Sequence, residues 1–213
     1  MTNRVGDSGV VKWLSVQSPG TVASIVKGER VDSYEHPYGF TAIRIINNIL
    51  PGWNIRIHMW PPHEIQNYRL RQNKTLNQQV HAHGWRIWSA VMCGEVEECS
   101  FRVAASNGQR FGLYSVVTDY KSMVSRLQLM QGSVEAHLTG RELRTASTSP
   151  YLIPSWSYHV TTGLRDRWSV TLVATESVDD PSSRLIAPMS TGAVTVNQRK
   201  ASQDLGLLNS LLG

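Results

Sequence analysis

The chain has 213 residues, 41% hydrophobic and 17% charged, a balance that fits a folded domain and excludes a disordered chain. The net charge of +5 comes from basic residues scattered among acids, with the short stretch RLRQNK (69–74) as its densest point, so no nucleic-acid partner is expected. No apolar run approaches the roughly 18 residues of a membrane span. The start MTNRVGDSGVVKWLSV has no long apolar core of a secretory signal, so a cytoplasmic protein without a membrane partner is the expectation.

Residues 1–39 read as a mixed N-terminal segment. Within it, PGTVASIVKGERV opens on Pro-Gly and spaces Val22, Ile25 and Val26 for one face, which predicts a short helix with Thr21 as a candidate cap. GFTAIRIINNIL and GWNIRIHMW then read as strands separated by the turn signal Pro51-Gly52. In the second, Ile55, Ile57 and Met59 share one face, and Arg56, His58 and Trp60 the other. PPHEIQNYRLRQNKTLNQQ has no strand period and reads as a long loop with a short helix. Strands are predicted over 81–103 with breaks, 112–117, 123–130, 133–138, 142–146, 151–153, 157–162 and 168–175. SNGQ, MQGS and LTGRE punctuate them as turns. So many short strands at close spacing predict an all-β barrel or sandwich in one domain, 1–213. From Asp179 the composition becomes linker-like, and SQDLGLLNSLL closes the chain as an amphipathic helix with Ser202 as a candidate cap. That helix either packs on the barrel or covers a pocket mouth or dimer seam. Cys93 and Cys99 stand within one strand or a strand and its turn, so they are expected as free, small buried hydrophobes.

QQVHAHGWRIWSAVMCGEVEE carries the chemistry. His81 and His83 project from one face of a strand, roughly 6.6 Å apart along it. Two imidazoles at that spacing can converge on one ion at about 2.0–2.2 Å per bond. A third ligand must come from a neighbouring strand, and His159 in YLIPSWSYHVTTG is the candidate.

These residues resemble the cupins over roughly 40–176. The strand-opening His81-Ala82-His83 followed by Gly94 is similar to the first cupin motif, and Pro154 with His159, spaced P-x-W-x-x-H, to the second. The resemblance implies a double-stranded β-helix, or jelly-roll, barrel with short helices at both ends, in a family whose barrels often pair as homodimers. It also implies a divalent metal on His81, His83 and His159. HAHGWRIWSAVMCG looks like small bacterial members of the family. Many metal-binding cupins carry a ligand glutamate four or five residues after the second histidine; here those positions are Ile87 and Trp88. A three-histidine site without it resembles thiol dioxygenases, which implies Fe(II) and dioxygen. The Ser-His-Tyr relay of cysteine dioxygenase is absent after His159, which argues against a cysteine substrate.

Trp85 shares parity with the two motif histidines and is expected as a pocket wall, with Trp156 and Tyr158 as further candidates. Tyr158 has opposite parity to His159. Arg44 and Arg56 can clamp a substrate carboxylate if they face inward. His58 and His63 are expected at the surface, Glu64 is a substitute ligand, His137 stands near a turn, and Glu95, Glu97 and Glu98 are expected in solvent. The leading expectation is a non-haem Fe(II) oxygenase acting on a small organic substrate. A redox-neutral isomerase, cyclase or lyase, or a non-catalytic small-molecule-binding cupin, is the alternative. Three histidines also accept Zn, Ni, Cu or Mn.

Overall fold

The computed structural model describes residues 5–72, 80–108, 111–119, 122, 124–164, 166–179, 182–189, 194–198, 201–202 and 204–213, with the backbone alone for 72 and 194–198. The rest of the basic stretch (73–74), the end of the central loop (73–79) and the start of one predicted strand (123) lie outside them.

Helices α1 (Asp7–Ser15) and α2 (Pro19–Gly28) precede the sheets. Pro19 occupies the first turn of α2, where its missing N–H costs nothing. The cap is Ser18, whose hydroxyl accepts from the Thr21 N–H at 3.1 Å, so Thr21 is the capped residue and not the cap. Strands β1 (Val31–Glu35), β2 (Thr41–Ile45) and β3 (Trp53–Trp60) follow, then helix α3 (His63–Gln72). Next come β4 (His81–His83), β5 (Ile87–Cys93), β6 (Glu95–Ala105), β7 (Phe111–Asp119), β8 (Val124–Gln131) and β9 (Val134–Thr145). The chain continues through β10 (Tyr151–Ile153), β11 (Tyr158–Gly163), β12 (Ser169–Glu176), β13 (Ser183–Pro188) and β14 (Val194–Gln198) to helix α4 (Leu205–Leu212).

Two antiparallel sheets result, ordered β1-β2-β3-β12-β5-β10 and β14-β8-β7-β13-β4-β11-β6-β9. They face each other as a jelly-roll-like sandwich and, among the described residues, do not close into the expected barrel. The chain crosses from the first sheet to the second at Gly94, whose φ of +68° is open to glycine. A Cβ there would stand 2.5 Å from Ser169 Oγ and 2.8 Å from the Trp168 carbonyl.

Three predicted features change. The stretch 183–188 is a strand paired with both β4 and β7, because residues such as Leu185, Ile186 and Ala187 bury their side chains. LTGRE is not a turn: β9 runs through it with a bulge opposite Ser100 and Phe101. The N-terminal segment holds α1 and β1 besides the expected helix.

The outer face of the first sheet is apolar. Ile55, Ile57 and Met59 of β3 join Leu172 and Ala174 of β12 against Val10 and Leu14 of α1, Val22 of α2 and Leu208 of α4. Helix α4 therefore packs on the sheet and on α2. Arg69, Thr41 and Asp204 tie it down, with Arg69 Nη2 2.8 Å from Asp204 Oδ2. Cys93 and Cys99 are free thiols. No helix among the described residues is long and apolar enough to cross a membrane.

Candidate metal centre

The inner faces of the two sheets enclose a cavity that gives about 60 Å³ to the centres of water-sized molecules, enough for an ion and a few small groups. His81, His83 and His159 point into it from the second sheet. The register places His159 directly opposite His81, so the third histidine enters from the neighbouring strand, as the spacing predicts. The His81 and His159 rings lie 4.3 Å apart centre to centre, His81 and His83 4.8 Å, and His83 and His159 5.5 Å. One nitrogen from each lies within 4.8 Å of the others. His81 is 8% exposed and His159 4%, while His83 is half-buried.

The chemistry of this donor set fits a metal ion. Burial holds His159 at about 4, against the carbonyl of Ser157, which accepts from its Nδ1 at 3.0 Å. That hydrogen bond leaves Nε2 as the free, neutral donor. Burial, and then the charges of His81, His159, Arg56 and His58, also lower His83 well below the ordinary imidazole value. His83 Nδ1 is buried with no hydrogen-bond partner among the described residues, an orphaned nitrogen of the kind a metal bond would satisfy. Burial thus keeps His83 and His159 neutral, and one buried nitrogen of His83 has no partner among the described residues.

Trp85 stacks on His83 at 4.6 Å, and Ile87 lines the same wall, while Trp88 turns to the outer apolar face. Arg56 faces inward and lines the cavity. Arg44, its partner across β2, lies outside in an adjoining cleft of about 190 Å³ that shares Arg56, Trp85 and Thr175, and pairs there with Asp32 at 3.0 Å. Two candidates move away from the cavity. Tyr158 packs with Leu113, Val134 and Ile186 on the far face of the second sheet, because its parity is opposite to that of His159. Trp156 is 41% exposed at the turn before β11.

Several cavity residues were not expected there. His58 lines it from the first sheet rather than sitting at the surface, and burial first, then Arg56, holds it at about 3. Its parity with Arg56 is the sequence signal. Tyr38 packs at a tilt against His81 at 4.4 Å and His36 stacks on Phe40 at 4.3 Å, both from a loop with no motif of its own. Glu98, expected in solvent, is 8% exposed. It stands across from Thr161 of β11, which lines the cavity and donates to Glu98 Oε2 at 2.5 Å. Burial raises Glu98 to about 8 in spite of that hydrogen bond. Tyr151 is raised by burial first and by Glu98 second. Glu64 is exposed on α3, His63 lies 2.9 Å from the Gly163 carbonyl, and His137 pairs with Glu135 in solvent.

The fold and the cluster define a β-sandwich with three histidines placed to hold a metal ion, an arrangement compatible with a cupin-like site. No protein-family model matches the chain. No curated protein matches it either.

Proposed function

We propose that this chain is a metal-dependent enzyme of the cupin kind, and specifically a non-haem Fe(II) oxygenase acting on a small anionic organic substrate. The observation that carries the proposal is the convergence of His81, His83 and His159 on an inward-facing, largely aromatic cavity. A bound Fe(II) ion would supply electrons for dioxygen and a positive centre for the substrate.

The chain's own residues then have distinct roles. Three neutral imidazoles leave the charge of the ion uncompensated, which favours an anionic partner beside it. Arg56 adds a second positive charge on the opposite wall and orients that anion. Ile87 stands where many metal cupins place a carboxylate, so no protein anion competes for the ion there. Trp85 and Tyr38 pack against His83 and His81 and keep water from the rings. Glu98, whose Oε2 accepts from Thr161 Oγ1, can hold a proton beside the cavity wall.

That last feature favours one other reading, a redox-neutral isomerase, cyclase or lyase in which the ion is a Lewis acid and Glu98 with Thr161 manages the proton. Zn, Ni, Cu or Mn would serve there.

The test is metal loading followed by a dioxygen surrogate. The wild-type protein should take up about one divalent ion per chain, and alanine at His81, His83 or His159 should each abolish it in a folded protein. Loaded with Fe(II) and exposed anaerobically to nitric oxide, it should give a high-spin electron paramagnetic resonance signal. Full metal content in His159→Ala would refute the ligand set. Turnover that proceeds equally with zinc and without oxygen would replace the oxygenase reading with the redox-neutral one.

A further inference from the structure

Trp156 has a φ of +60°, one of two non-glycine residues with positive φ among the described residues. A left-handed backbone is unfavourable for an L-residue, and such residues persist where the surroundings over-determine them. Burial is not the compensation, because the side chain stays 41% exposed.

The surroundings are the two ligand-bearing strands. The Trp156 N–H donates to the His83 carbonyl at 2.6 Å. Its indole presses on Gly84, where a Cβ would come within 2.9 Å of ring carbon Cζ2 and 3.1 Å of the Ser182 carbonyl. Arg184 of β13 covers the ring at 4.4 Å. The next residue, Ser157, offers the carbonyl that orients the His159 ring at 3.0 Å. Two successive residues of one turn therefore grip the two strands, one through the His83 backbone and one through the His159 imidazole.

We propose that Trp156 is a positioning residue for the metal centre, using its left-handed backbone and its indole to set His83 of β4 against His159 of β11. This rests on the metal-centre proposal above. The left-handed conformation aims the N–H at the His83 carbonyl, and the ring pins Gly84 so that the end of β4 cannot slide. Glycine at 156 would keep the backbone and release the ring.

Co(II) is the probe. Its affinity, by chelator competition, and its visible absorption spectrum are measured for the wild type, Trp156→Gly, Trp156→Phe and Gly84→Ala, beside thermal unfolding of the metal-free proteins. Trp156→Gly should unfold no earlier than the wild type, since it sheds the backbone cost, yet bind Co(II) about 10- to 100-fold more weakly with an altered spectrum. Trp156→Phe should restore most of the affinity. Gly84→Ala should weaken binding by displacing the ring. Should the glycine variant fail to fold, Trp156→Asn, which also tolerates this backbone region, carries the same expectation. Wild-type affinity and spectrum in Trp156→Gly or Trp156→Asn would overturn the role of Trp156 alone. A wild-type protein that binds no Co(II) would overturn the metal centre itself, and this role with it.

Discussion

Replacing Glu98 with glutamine should stabilise the metal-free protein, and by more as the pH rises. The folded chain keeps the Glu98 proton up to about pH 8, whereas an unfolded chain releases it above about 4.5. Between those values unfolding releases a proton, so each rise in pH favours the unfolded state. At about 1.4 kcal/mol per pH unit, the cost of Glu98 is below 1 kcal/mol at pH 5 and about 3 kcal/mol at pH 7. Its ceiling, about 5 kcal/mol, is approached only above pH 8. Glutamine has the same shape, still accepts from Thr161 Oγ1, and never ionises, so it removes this cost and nothing else. The charges around Glu98 are those of Arg144 and Glu142 on β9, and the neutral phenol of Tyr151 lies on β10; all three remain in the variant. The assay is urea unfolding of both proteins at half-unit steps from pH 5 to pH 8. A stability difference that widens by about 2–3 kcal/mol between pH 5 and 7 supports a buried, protonated Glu98. A difference that is flat with pH, or a glutamine variant weaker throughout, would refute it.

Acid should act in the opposite direction through His58. The folded protein keeps this imidazole neutral down to about pH 3 against an ordinary 6.5, so stability is full above 6.5 and falls as acid protonates the unfolded chain. Between pH 6.5 and 5 the loss should be about 2 kcal/mol, and His58→Phe should remove that share of the decline while His83 and His159 keep theirs; an unchanged acid slope in thermal unfolding would contradict it. Gly94→Ala should cost about 2–4 kcal/mol in urea unfolding, since it combines a positive φ with a Cβ 2.5 Å from Ser169 Oγ; a cost below 1 kcal/mol would show that the crossing can relax.

Much of the centre was legible because strand parity is a strict rule. His81, His83, Trp85 and Ile87 face the cavity as their alternation requires, and Trp88 and Tyr158 turn away for the same reason. The pairing of His159 with His81 needed the resemblance or the register, since nothing local to either residue specifies a partner 78 positions distant. Strand β13 was hidden by composition: Asp179, Asp180, Pro181 and two serines look like a linker, yet Leu185, Ile186 and Ala187 bury fully once β4 and β7 offer them edges. The LTGRE segment was hidden by Gly140, which marks a bulge in β9 as readily as a turn.

The misplacement of His58 has a physical root. A strand with one apolar and one polar face is ordinarily read as core-facing and solvent-facing, and β3 invites that reading, with Ile55, Ile57 and Met59 against Arg56 and His58. Here the apolar face is buried under α1, α2 and α4, which frees the polar face to line the space between the sheets. A polar inner face is costly unless something compensates it, because buried imidazoles, carboxyls and guanidinium groups each lose water. Glu98 has Thr161 and His159 has the Ser157 carbonyl, but His83 Nδ1 has no partner among the described residues. Arg56 places a positive charge beside imidazoles already driven neutral. Such an interior is poor design for stability alone. It becomes reasonable if a cation takes the imidazole nitrogens and an anion takes the remaining positive field, which is the same pair of ligands that the proposed reaction needs.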